Sequence, residues 1–236
     1  MSEICDLGTV LTVWAHPDDE AYLAGGLLAA VREHGGRAVC VTATRGEAAD
    51  PDATPGERAA LGALRTRELA DSLTVLGVEE HHWLEHPDGG CATADPDSAA
   101  ARLGCLLDEV RPDTVVTFGP DGFTGHPDHR AVSAWVDRAL ASHDARPRLL
   151  HAVGQEPAVD PSLDEDFGVF DLGRPRIVEE SEVALRLMLS GSDLDRKVEA
   201  LAVQRSQTSG LLATVGRERF ARWVAVEVFA EPPQSR

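Results

Sequence analysis

Positive charge is scarce in this sequence. Over 236 residues, 22 Lys and Arg stand against 40 Asp and Glu, a formal net charge of −18. A protein that wraps nucleic acid needs clustered cations to neutralise phosphates, so a field of this sign argues against DNA, RNA and anionic membrane surfaces as partners. Long apolar runs are missing as well. No stretch approaches the roughly 20 residues that span a bilayer, and the opening Met-Ser-Glu-Ile-Cys-Asp lacks the basic and apolar regions of a signal peptide. The expectation is a soluble, cytoplasmic protein acting on a small molecule, with no nucleic acid and no membrane as partner; a homo-oligomer is compatible with it. Cysteine is sparse: Cys5, Cys40, Cys91 and Cys105 lie far apart with no C-x-x-C pair, so neither a zinc-finger nor a dithiol redox motif is present. They read as free thiols, Cys40 in a buried strand and Cys105 on a helix.

What is there is enough to build a core, 43% of the residues being apolar. Val10–Ala15 is short, apolar and rich in β-branched residues, the signature of a buried strand, and Arg37–Thr42 and Asp113–Phe118 repeat it. Helical stretches separate them: Tyr22–Glu33 before Gly35-Gly36, Glu57–Leu76 before Gly77, and Ser98–Val110 before Arg111-Pro112. Alternating strands and helices predict an α/β fold: a doubly wound, Rossmann-like, mostly parallel sheet with helices on both faces. Further on, a helix runs to about Ser142, Leu149–Val153 reads as a strand, and residues 154–180 turn rich in Pro, Asp, Glu and Gly, with Phe167–Leu172 as the one strand-like piece. Helices at Glu182–Ser190 and Leu194–Ser206 and a strand at Trp223–Phe229 complete the prediction. The whole chain, 1–236, reads as one domain with a loop-rich segment at about 154–180.

The titratable residues gather after two of these strands. Val10–Ala15 runs into His16-Pro17-Asp18-Asp19-Glu20, and Asp113–Phe118 is followed by Gly125-His126-Pro127-Asp128-His129-Arg130; each run opens a helix. Ligands in open α/β sheets bind at the carboxyl ends of strands, so position and composition agree. In both runs Pro occupies a place suited to the first helical position and acidic residues fill the first turn. A spacing of three lets His16 converge with Asp19, and His126 with His129. Imidazoles plus one carboxylate make an open three-ligand site of the kind used by catalytic zinc or ferrous iron. His16, Asp19 and one histidine of the second run suffice, which leaves Asp18 and the other histidine as acid/base candidates. A single His-Pro-Asp run can be a helix cap and nothing more; two in equivalent positions argue for a site. A third, His86-Pro87-Asp88-Gly89-Gly90, reads as a loop, either a substrate contact or a plain turn. In Thr44-Arg45-Gly46-Glu47 the arginine can grip substrate oxygens or pair with Glu47 at the surface. His34 sits at a helix end, and His81, His82, His143 and His151 have no partner visible in sequence.

Together with the Arg67-Glu68…Leu76-Gly77 helix and Pro87-Asp88-Gly89, the two His-Pro-Asp runs resemble the LmbE-like, or PIG-L, family of zinc-dependent N-deacetylases, whose members act in GlcNAc-phosphatidylinositol, mycothiol and bacillithiol biosynthesis and in antibiotic tailoring. The matches run from about residue 10 to 140 and return at Lys197–Gln207. The resemblance implies Zn²⁺, with Fe²⁺ or another divalent ion as the alternative, on His16, Asp19 and His129. It implies Asp18 as general base, protonated His126 as stabiliser of the developing oxyanion with Asp128 orienting it, and Arg45 and Asp88 as substrate contacts. The implied reaction is hydrolysis of the acetamide of an N-acetylglucosamine-type conjugate to acetate and a free amine. Two positions depart from the family pattern: Thr124 stands where many relatives have tyrosine, and Gln204 where a histidine is frequent. Rival readings are a ferrous oxygenase, whose usual H-x-D spacing differs from H-x-x-D here, a sugar-binding protein without turnover, and an amidase cutting a larger conjugate.

Overall fold

In the computed structural model, residues 2–144, 146–155 and 167–233 are described. The first half follows the doubly wound pattern in chain order: β1 (Val10–Trp14), α1 (Asp19–Glu33), β2 (Ala38–Thr42), α2 (Pro55–Leu76), β3 (Glu80–Trp83), α3 (Pro96–Val110), β4 (Thr114–Phe118), α4 (Pro127–Ser142) and β5 (Arg148–Ala152). The second half adds β6 (Val183–Met188), α5 (Gly191–Ala202), α6 (Arg205–Val215), α7 (Arg217–Val224) and β7 (Val226–Ala230). The strand order is β3-β2-β1-β4-β5-β7-β6. The first five strands pair in parallel, while β7 lies antiparallel to both β5 and β6. Every residue of β1, β2 and β4 is buried, as expected of strands covered on both faces. No helix among the described residues is long and apolar enough to cross a membrane.

The helix starts follow local chemistry. Thr54 and Glu57 form a reciprocal capping box at α2, and Gly77 closes that helix in the left-handed conformation. At α3 the Asp95 side chain accepts from the Asp97 amide ahead of Pro96, and at α4 His126 caps ahead of Pro127. Helix α1 bends where Ala24 leaves helical geometry, at φ −144°. The amides of Gly26 and Leu27 donate to Glu227 of β7, at 2.6 and 2.8 Å. A Cβ on Gly26 would meet the Leu189 side chain at 2.5 Å and Glu227 Oε1 at 3.1 Å, so a larger residue there would require Leu189 to move. Glu227 is in turn paired with buried Lys197 of α5 at 2.6 Å.

The second half departs most from the sequence expectation. Glu182–Ser190, expected as a helix, is a short 3₁₀ turn at Glu180–Glu182 followed by β6. Antiparallel pairing with β7 decides the matter, since it saturates backbone groups that a short amphipathic helix would leave to water. Trp223 and Val224 end α7, so the last strand begins at Val226 instead of Trp223. The helix expected at Leu194–Ser206 breaks after Ala202, and α6 begins at Arg205. Phe167–Leu172 forms turns and no strand; part of the 154–180 segment lies outside the described residues. The thiols are free, with Cys40 buried in β2 and Cys105 exposed on α3.

The Lys197–Glu227 pair carries a stability prediction. Lys197→Met leaves a buried carboxylate without its cation, a change that typically costs about 3–5 kcal/mol. Urea denaturation should show a loss of that order; a loss below about 1 kcal/mol would mean that Glu227 is satisfied by the α1 amides alone.

Candidate metal centre

The sheet order places the chemistry. From β1 the chain winds outward to β2 and β3, then returns to β4 on the other side, so the switch point lies between β1 and β4. His16-Pro17-Asp18-Asp19 leaves the carboxyl end of β1, and the turn Gly122–Gly125 and the cap of α4 leave that of β4. Both lie against a cavity of about 670 Å³.

Inside it, Nδ1 of His16 faces Nε2 of His129 at 3.2 Å. Asp19 closes the triangle, its Oδ1 standing 3.5 Å from His129 Nε2 and its Oδ2 3.7 Å from His16 Nδ1. The outer nitrogens are already committed. Nδ1 of His129 lies 2.9 Å from the Gly122 carbonyl, which can only accept, so that nitrogen carries the proton. Nε2 of His16 lies 3.0 Å from Asp88 Oδ1 and 3.5 Å from Asp128 Oδ2 and donates there for the same reason. With the outer positions taken, the two inner nitrogens and the carboxylate share one point that a single cation, a proton on His16 Nδ1 or a metal ion, holds together. Donors bound at about 2.0–2.1 Å around a tetrahedral Zn²⁺ stand roughly 3.3 Å apart, close to the separations found. The donor set fits a divalent metal. Ring protons held by a carbonyl and a carboxylate are the usual means of fixing ligating histidines. The acids also demand positive charge here: burial disfavours protonation of His16, but hydrogen bonds to Asp128 and Asp88 and the Asp19 charge outweigh it and raise its pKa to about 10.

His126 is a different kind of histidine, although its donor atom also lies within 4.8 Å of those of His16 and His129. Its Nδ1 accepts the Asp128 amide at 3.2 Å, which puts the ring proton on Nε2 and makes the ring a donor. Burial and the neighbouring His16 hold its pKa below the usual histidine value. A neutral N–H donor therefore replaces the protonated His126 of the sequence reading. Asp128 orients it through its backbone amide and not through its carboxylate, which is fully buried and accepts from Gly89 N at 2.8 Å and Cys91 N at 3.1 Å.

Asp18 stands beside the triangle under strain. Its φ of 109° lies where L-residues rarely go, at a cost on the order of 1–3 kcal/mol. Tyr22 N and Ala21 N bond its carbonyl, and its own amide donates to Glu20 Oε2, so the turn is over-determined. Burial pushes the Asp18 carboxyl up to about 7 even though Arg65, 3.4 Å away, and His16 pull it down while Asp19 and Asp88 add to the rise.

The remaining sequence candidates separate. Asp88 lines the cavity, but its Oδ1 is on His16 and its Oδ2 accepts from Ala48 N at 2.7 Å, so it holds the His16 ring in place. Arg45 does not reach the cavity. Its guanidinium bonds Glu85 at 2.8 Å and Thr66 at 3.0 Å and stacks over Trp83 at 4.4 Å. The arginine in the cavity is Arg65 of α2, 5% exposed, which donates to the Pro17 and Gly46 carbonyls at 2.5 and 2.9 Å and faces Asp18. Sequence reasoning passed over it because a lone arginine inside a helix carries no local signal. Thr124 lines the cavity with its hydroxyl 3.4 Å from His129 Nδ1. Gln204 is buried behind the β1 turn, donating to Glu20 at 2.8 Å and Ser72 at 3.1 Å, and so supports that turn from outside the cavity.

Residues 11–140 match the family model described as PIG-L, GlcNAc-PI de-N-acetylase. The 1D-myo-inositol 2-acetamido-2-deoxy-α-D-glucopyranoside deacetylase of Kineococcus radiotolerans is 38% identical over 159 residues, covering 56% of this chain and 44% of that protein. The enzyme of the same name from Streptomyces avermitilis is 32% identical over 209 residues, covering 78% of this chain and 67% of its own. The chain thus spans from under half to two thirds of these relatives. Among solved structures, the N,N'-diacetylchitobiose deacetylase of Pyrococcus horikoshii superimposes with a TM-score of 0.68 at 22% identity, covering 99% of this chain and 86% of that one, a likeness of fold.

Asp88→Asn keeps the shape but weakens the hold on the His16 proton. Zn²⁺ affinity measured against a chromophoric chelator should fall about 10–100-fold, whereas Arg45→Ala should leave it unchanged. Equal affinity in Asp88→Asn and the parent protein would remove Asp88 from the metal centre.

Proposed function

The chain belongs to the PIG-L family, and from that premise we propose that it is a metal-dependent hydrolase of the N-acyl group of glucosamine-type conjugates, releasing acetate and a free amine. In this reading residues 1–236 act as one catalytic domain. The observation that carries it is the facing pair of His16 Nδ1 and His129 Nε2, each with its outer proton engaged, beside Asp19. These three residues would hold the ion, Zn²⁺ in the first instance. A divalent ion held there supplies Lewis acidity to water and to the amide carbonyl.

The chain's own groups do the rest. Asp18, unprotonated, accepts a proton from the attacking water; its carboxylate is kept in place by the strained turn and by Arg65. As the water oxygen bonds the carbonyl carbon, the amide oxygen gains negative charge, and the His126 Nε2–H donates to it. The carbon–nitrogen bond then breaks while Asp18 returns its proton to the departing nitrogen, so acetate and amine leave and the site is restored. A tyrosine-assisted step has no phenol at this position, which Thr124 occupies.

Two variants separate binding from turnover. Asp18→Ala should retain stoichiometric Zn²⁺ and lose about 10²–10⁴-fold in acetate release from an N-acetylglucosaminide, whereas Asp19→Ala should lose the metal. Chelation should abolish the release and Zn²⁺ restore it. Near-normal turnover in Asp18→Ala would overturn the base assignment, and the absence of any chelator-sensitive amine release across such conjugates would overturn the function.

A further inference from the structure

The cavity has two unlike ends. Most of its charged and imidazole groups (His16, Asp18, Asp19, Arg65, Asp88 and His126) gather at one end, around the turns that follow β1, β3 and β4. Away from them the wall comes from α1, α6, α7 and β7, from the Gly122–Gly125 turn, from the end of β5 and from Val169 and Phe170, and it is mostly apolar, with Tyr22, Leu23, Phe123, Leu211, Trp223 and Val226 all partly exposed. Few polar groups interrupt it. Glu227 lines the same wall, but its carboxylate is already spent on Lys197 and on two α1 amides. Gln155 and Gln207 are the other amides on the lining, and Gln155 is bound to Glu180.

Such a wall is ill suited to a second polyhydroxylated ring. Each hydroxyl taken out of water without a partner costs free energy, and this surface returns few hydrogen bonds. An apolar group gains on the same surface, at about 25 cal/mol per Å² removed from water. A volume of about 670 Å³ also lies within the roughly 300–1,000 Å³ typical of sites that enclose a drug-sized ligand. We infer that the substrate carries an apolar substituent next to the scissile amide, seated on Tyr22, Leu23, Phe123, Leu211, Trp223 and Val226. This deepens the proposed function and rests on it for the identity of the amide. The substituent has two chemical sources, an apolar aglycone or an acyl chain longer than acetyl.

Calorimetry on the Zn²⁺-loaded protein tests this without requiring turnover, using methyl N-acetylglucosaminide, hexyl N-acetylglucosaminide and N-octanoylglucosamine. One of the two apolar ligands should bind at least about tenfold tighter than the methyl compound, with a more negative heat-capacity change, and which one does so identifies the source. Leu211→Asn, a polar change on the apolar wall, should shrink that ratio severalfold, and Val226→Thr should shrink it too if Leu211→Asn fails to fold. Equal affinities of all three, or tightest binding of the methyl compound, would overturn the inference while leaving deacetylation of simple N-acetylglucosaminides intact. Tighter binding of an apolar ligand with no amine release from any of the three would instead sustain the apolar site and count against the hydrolase.

Discussion

Two imidazole nitrogens 3.2 Å apart, with their protons drawn outward, are the constraint on which this site depends. Such a pair needs a cation between its lone pairs, a proton or a metal ion, and each ring is fixed from behind. The Gly122 carbonyl holds one and Asp88 the other. Each of those anchors is itself held: Gly122 by the positive-φ turn after β4, and Asp88 by the Ala48 amide and, through its own amide, by Glu47. The candidate metal centre is therefore built by residues from four separate strand ends and turns, and the switch point of the sheet is what brings them to one place.

The same arrangement explains how so many acids coexist. Asp18, Asp19, Asp88 and Asp128 crowd the head of the cavity, yet each has its own means of accommodation. Asp128 is buried on two amides, Asp88 is pulled low, to about 2, by its hydrogen bond to His16 in spite of burial, and Asp19 accepts the His16 amide. Asp18 has the Arg65 guanidinium at 3.4 Å, but burial outweighs that attraction and raises it. A carboxyl raised in this way is placed for the proton transfer proposed for Asp18. Behind them, Glu20 is raised to about 8 by burial and by the Asp18 charge and is bonded by Ser72 and Gln204, so the C-terminal half braces the β1 turn.

Much of this was legible in the sequence, and the parts that were share a property: their signal is local. The His-Pro-Asp runs show cap, ligand spacing and strand end within a few residues, and β1, β2, β4 and β5 announce themselves by composition, whereas β3, Glu-His-His-Trp, does not. Arg65 was illegible because its partners, Pro17 O and Gly46 O, are 48 and 19 residues distant. Arg45 misled because a strand-end position does not fix side-chain direction, and Trp83 with Glu85 turned it away from the cavity. Spacing also could not tell His126 from His129; the Asp128 amide on one ring and the Gly122 carbonyl on the other place their protons differently. In the second half, β6 was hidden because its pairing with β7 is a tertiary fact, and the apolar wall because it is assembled from elements far apart in the chain.

The most direct test of the account is imidazole ¹⁵N NMR of the full chain titrated with Zn²⁺. The ring geometry requires the His16 Nδ1 and His129 Nε2 resonances to move to the metal-bound range together at one equivalent, with His16 Nε2, His129 Nδ1 and His126 Nε2 staying protonated. Metal-induced shifts at His126 in place of His129, or at His16 Nε2 in place of Nδ1, would contradict it.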